Sequence, residues 1–283
     1  MRWQGRRGSR NIEDRRRSGG GRRAAGGIGG IAGVIILLLG WYFGVDTSQF
    51  VNVGGGSQTQ QTAEVTEADE RAAQFVSVTL ADTEEVWTDI FREQVGERYE
   101  PPTLVLFKGA TQSPCGGASA ASGPFYCPAD EKAYLDTSFF VTMEQRLGAG
   151  GDFAAAYVVA HEVAHHVQQE LGILGQANRI RQQVSERESN AISVRIELQA
   201  DCFSGIWARL AQEKFNSLER GDIAEAMNAA EQIGDDTLQR NAGRTVTPHT
   251  FQHGTSEQRQ RWFARGYESG QITDCDTFST DRL

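Results

Sequence analysis

The run Tyr157-Val158-Val159-Ala160-His161-Glu162-Val163-Ala164-His165-His166 holds the pattern H-E-x-x-H within an apolar stretch. On a helix, positions i and i+4 share a face, so His161 and His165 can offer both imidazoles to one zinc ion. Glu162 stands next to the first of them, where a carboxylate can take a proton from a water polarised by the metal. These residue types at this spacing point to metal-assisted hydrolysis.

Catalytic zinc commonly takes three protein ligands and leaves a fourth position open. The extended pattern H-E-x-x-H-x-x-G-x-x-H is excluded, because Gln168 and Leu171 stand where it needs glycine and histidine. A better candidate lies between Ser193 and Asp201, where Glu197 and Asp201 are spaced i, i+4 on one helix face. Glu197 is the expected third ligand, with Asp201 itself or His253 as the fallback. Asp201 is expected to accept a hydrogen bond from the non-metal nitrogen of a ligand histidine, His161, which fixes the tautomer and strengthens the ligand. Two solvated carboxylates on an exposed face are the competing reading. Val194, Ile196, Leu198, Phe203, Ile206 and Trp207 argue against it, because acids on so apolar a helix need buried partners.

Three of the five histidines lie at 161, 165 and 166, which favours a single site. His253 precedes a helix start marked by Thr255 and Gln258, which form a capping box. It is expected to steady the oxyanion of a tetrahedral intermediate, against a plain surface-loop histidine. His166 points about a hundred degrees away from His165 and reads as structural.

Several further stretches belong with these motifs: Gly123-Pro124-Phe125-Tyr126-Cys127-Pro128-Ala129-Asp130, Tyr134-Leu135-Asp136-Thr137-Ser138-Phe139-Phe140, Glu197 to Cys202, and His253 to Arg259. As a set they resemble the bacterial putative neutral zinc metallopeptidases of the YpfJ type, over roughly residues 70–277. The resemblance implies a gluzincin-like, zincin-type fold, one zinc ion, a peptidase activity and an N-terminal membrane anchor. It adds little about the substrate.

The elements that must position these residues are legible in outline. Phe153, Ala154, Ala155, Ala156, Val158, Val159, Val163 and Val167 make the H-E-x-x-H segment apolar nearly all round, as a buried helix is. Asp152 can cap its start and Gly172 can end it. Other helices are expected at about 70–97, 138–148, 177–213, 222–231 and 256–269. Thr103 to Phe107 reads as a strand, and 124–127 with 132–136 as a hairpin around Pro128-Ala129-Asp130-Glu131. The fold class is therefore α+β, mainly helical with a small sheet. By analogy with zinc peptidases, the 124–136 hairpin would hold substrate by strand addition.

Residues 1–23 carry nine arginines against Glu13 and Asp14, a net of +7, and residues 24–45 have no charge. The latter stretch, with Trp41 and Tyr42 suited to an interface, is long enough for a transmembrane helix. On that reading residues 1–23 are a basic cytoplasmic segment touching anionic lipid heads, 46–69 a flexible linker, and 70–283 the catalytic domain outside the membrane. From the overall −9, removing that +7 leaves −16 for the rest, which argues against a nucleic-acid partner. Four cysteines allow three pairings, among which the sequence does not choose, although Cys115–Cys127 with Cys202–Cys275 is favoured.

Together these readings describe a membrane-anchored zinc endopeptidase acting on a peptide or protein, with Glu162 as general base. A tethered, non-catalytic zinc-containing binding or scaffolding module is the alternative. A zinc amidase or esterase would use the same chemistry.

Overall fold

A computed structural model describes residues 1–17, 64–119 and 122–283. The first element is a short strand, β1 (Ile12–Asp14), followed after the undescribed stretch by the long helix α1 (Glu67–Ile90). Thr66 and Asp69 close a capping box at its start, and a wider turn over Phe91–Val95 ends it at Gly96 in the left-handed region. Four strands come next: β2 (Thr103–Phe107), β3 (Ala110–Ser113), β4 (Gly116–Ser119) and β5 (Phe125–Cys127). After β6 (Lys132–Asp136) the chain is helical, with α2 (Phe139–Arg146), α3 (Asp152–Glu170), α4 (Ile173–Arg181) and α5 (Glu186–Phe215). It continues through α6 (Asp222–Gln232), α7 (Asp235–Asn241) and α8 (Ser256–Ser269).

The main sheet has the order β1-β2-β6-β5, parallel across its first three strands, with β5 as an antiparallel edge. A separate hairpin pairs β3 with β4, and the Cys115–Cys127 disulfide ties its tip to β5. Helix α3 lies at the centre, enclosed by α1, α4, α5, α6 and the β5–β6 edge. That enclosure explains its sequence, since Phe153, Tyr157, Val159, Val163 and Val167 are all fully buried. Helix α8 lies on α5 with the backbones in contact. A Cβ at Gly205 would overlap the Phe263 carbonyl, and one at Gly266 would overlap the Cys202 carbonyl. The Cys202–Cys275 disulfide joins α5 to the turn beyond α8.

Three expectations need correction. Asp152 does not cap α3: Glu225 Oε2 accepts the Phe153 N–H at 3.0 Å, while Asp152 Oδ1 takes the α-amino group of Met1 at 2.8 Å. The single helix expected over 177–213 is two, because the Ser185–Glu188 capping box starts α5 afresh after α4 ends at Gln182. The third concerns the membrane. Among the described residues no helix is long and apolar enough to cross one, and the span expected at 24–45 lies outside the described residues, as does most of the linker expected at 46–69.

The basic N-terminal segment is packed onto the domain. Ile12, Glu13 and Asp14 pair with Leu104, Val105 and Leu106 of β2. Arg2, Arg6, Arg7, Arg15, Arg16 and Arg17 each face a carboxylate, notably Arg6 on Asp82 at 2.6 Å and Arg17 on Glu70 at 2.7 Å. The positive segment therefore neutralises an acidic body. A single crossing with residues 1–17 in the cytoplasm and the domain outside would tear β1 from β2, so that localisation does not stand.

Candidate metal centre

Two adjacent helices bring the expected ligands together. His161 and His165 face α5 from one side of α3, and Glu197 meets them from α5. His161 Nε2 lies 3.1 Å from Glu197 Oε2, and His165 Nε2 lies 3.5 Å from Glu197 Oε1. Two ligand atoms each about 2.1 Å from a tetrahedral ion stand about 3.4 Å apart, so these separations fit one divalent cation. One donor atom from each of the three residues lies within 4.8 Å of the others.

The electrostatics match that geometry. Burial opposes charge on His161, but Asp201 and Glu197 outweigh it and raise its pKa to about 10. Burial lowers the pKa of His165. Burial also opposes charge on Glu197, yet His165, His161 and His253 hold it well below the usual carboxylate range. The site is thus a carboxylate between imidazoles, a donor set that suits a divalent cation. Glu162 is different: burial pushes it up to about 7, only partly offset by His161, while Glu197 raises it further.

Asp201 stands behind His161, fully buried, with Oδ1 2.9 Å from Nδ1 and on the far side of the ring from Nε2. The approach is off the ring N–H direction, so Nδ1 has an ion-pair contact there but no aligned hydrogen bond. Asp201 therefore stands behind His161, outside the three residues whose donor atoms lie within 4.8 Å of one another. Tyr157 donates to its Oδ1 at 2.5 Å, and Arg259 grips both oxygens at 2.8 and 2.9 Å.

His253 comes from the loop before α8. Its Nδ1 is 3.1 Å from Asp235 Oδ1, and Asp235 Oδ2 accepts the backbone N–H groups of Gln252, His253 and Gly254. Asp235 outweighs burial and raises the pKa of His253, which is close enough to lower those of Glu162 and Glu197. It stands beside the cluster and outside its ligand set. His166, read as structural, bridges Tyr126 of β5 at 3.1 Å and the Glu100 carbonyl at 2.7 Å, and so pins the edge strand to α3.

Sequence reasoning missed Arg259, Tyr157 and Asp235. A buried carboxylate at 201 called for a cation, and the cues to Arg259 were its place directly after the Thr255–Gln258 capping box and at the end of the His253–Arg259 stretch. Tyr157 sits one turn before His161, on the same face.

The family model described as "Putative neutral zinc metallopeptidase" matches residues 1–278. The chain belongs to that family. Its sequence is 47% identical over 285 residues to YpfJ of Escherichia coli K12, covering 98% of this chain and 99% of that protein, which is itself uncharacterised. It is also 44% identical over 195 residues to Mb2605 of Mycobacterium bovis and to Rv2575 of Mycobacterium tuberculosis, each match covering 65% of both chains. No solved structure matches the chain. For a zinc metallopeptidase, the family's metal suits the His161, His165 and Glu197 donor set, and the family match takes in the docked N-terminal segment as well.

Proposed function

We propose that this family member is a zinc-dependent endopeptidase, with His161, His165 and Glu197 as metal ligands and Glu162 as general base. The observation that carries the reading is the convergence of two imidazoles and a carboxylate beside a second, buried carboxylate whose pKa is near 7. When bound, zinc supplies Lewis acidity, polarising the scissile carbonyl and acidifying a water.

Glu162 takes the proton of the attacking water and passes it to the leaving amine, a task suited to a base poised near neutral pH. Asp201, held by Arg259 and Tyr157, keeps the His161 ring oriented. His253, held by Asp235, donates toward the oxygen on which negative charge develops. The β5 edge, pinned by His166, receives the peptide as an added strand.

Glu162→Gln is the direct test: it should retain zinc and lose nearly all cleavage of a peptide library by the purified protein. Cleavage at the wild-type rate would remove Glu162 as the base, and zinc bound without cleavage by the wild type would leave a binding module. The base must be ionised, so kcat/KM should fall as pH drops through the Glu162 pKa, which is about 7 in the metal-free site and lower with a cation bound.

A further inference from the structure

Gln168 and Gln199 form a buried chain of amides that ends on the His165 ring. Gln168 follows His165 by three residues on α3 and is fully buried, and Gln199 on α5 is nearly so. The direction of each amide is set from the far end. The Cys275 carbonyl can only accept, so Gln199 turns Nε2 to it at 3.0 Å. Gln199 Oε1 then faces Gln168 Nε2 at 3.0 Å, and the other Nε2 proton goes to the Ile196 carbonyl at 2.8 Å. Only Oε1 of Gln168 is left for His165 Nδ1, 2.9 Å away. An amide oxygen cannot donate, so Nδ1 carries the proton and the Nε2 lone pair is free on the side of Glu197.

We propose that Gln168, oriented by Gln199, is a positioning residue that locks His165 in the Nδ1–H tautomer and thereby sets the zinc affinity of the site. This rests on reading His165 as a metal ligand. The two imidazoles are supported by different chemistry, a carboxylate behind His161 and a neutral amide behind His165. Linked amides polarise one another, which makes a neutral acceptor stronger than an isolated one.

The test uses the full-length protein in two states. In the metal-free wild type at neutral pH, nitrogen–proton correlation NMR should show the His165 ring protonated at Nδ1, the signal being assigned by its loss in His165→Ala. Competition with a fluorescent chelator for zinc ion should then show affinity falling roughly 10- to 100-fold in Gln168→Leu, with a smaller loss in Gln199→Leu. Gln168→Glu restores an acceptor but loses both donors. It should keep the tautomer and most of the zinc affinity while its melting temperature drops with that of Gln168→Leu, a split that a purely structural role would not produce. A wild-type ring protonated at Nε2, or unchanged zinc affinity in Gln168→Leu, overturns the proposal. If Gln168→Leu does not fold, the wild-type tautomer and Gln199→Leu decide. A wild type with the Nδ1–H ring that binds no zinc would refute the metal reading and leave the amide chain standing.

Discussion

Asp201 meets three donors from Tyr157 and Arg259, and its charge is balanced by a guanidinium that is itself only 2% exposed. Removing one partner of a buried pair strands the other, at a cost of about 3–5 kcal/mol. Arg259→Leu should therefore lower unfolding free energy by about that amount in urea titrations, far more than loss of an exposed arginine such as Arg17. Asp201→Asn keeps the shape and removes the charge behind His161. It should weaken zinc binding roughly 10- to 100-fold in chelator competition. At this scale the convergence of His161, His165 and Glu197 was legible because spacing on a helix is a strong geometric constraint. Arg259 was not, since nothing in the local pattern of α8 distinguishes a buried guanidinium from a solvated one.

Helix α8 delivers Arg259 to the site because Gly205 and Gly266 let it lie against α5 without side chains between them. Gly266→Ala should force the helices apart, costing about 1–3 kcal/mol in chemical denaturation and, by withdrawing Arg259, zinc affinity as well. The N-terminal strand depends on charge instead. Arg15 and Lys132 hold Glu13 down at about 2, from an ordinary value of 4.5. A depressed acid pKa contributes stability that is present above the unfolded value and lost as pH falls through the folded one. Docking of β1 should therefore loosen between about pH 4.5 and 2, read as declining exchange protection of the Arg15 amide, which donates to Leu106. The all-round apolar character of α3 and the capping box that starts α8 were readable directly. The β1 strand was not, because Ile12-Glu13-Asp14 is too short and charged to read as a strand, and its pairing partner is some ninety residues away.

Across the whole molecule, the helical body was readable in the sequence and the two cross-links were favoured but not fixed by it, while the docking of residues 1–17 was hidden. An arginine-rich stretch followed by an uncharged one has the composition of a membrane topogenic signal, and composition cannot reveal that the arginines already have carboxylate partners on the same domain. The cross-links differ in reach: Cys115–Cys127 closes 12 residues and Cys202–Cys275 closes 73. Loop-closure entropy makes these worth about 3 and about 4 kcal/mol respectively.

Cys202 directly follows Asp201 along α5, and the carbonyl of Cys275 is the anchor from which Gln199 and Gln168 are aligned. A single sulfur–sulfur bond thus adjoins the supports of both imidazoles. Removing that bond in the Cys202→Ala, Cys275→Ala pair should therefore lower zinc affinity in chelator competition, because the carbonyl that aligns Gln199 is no longer tethered to α5.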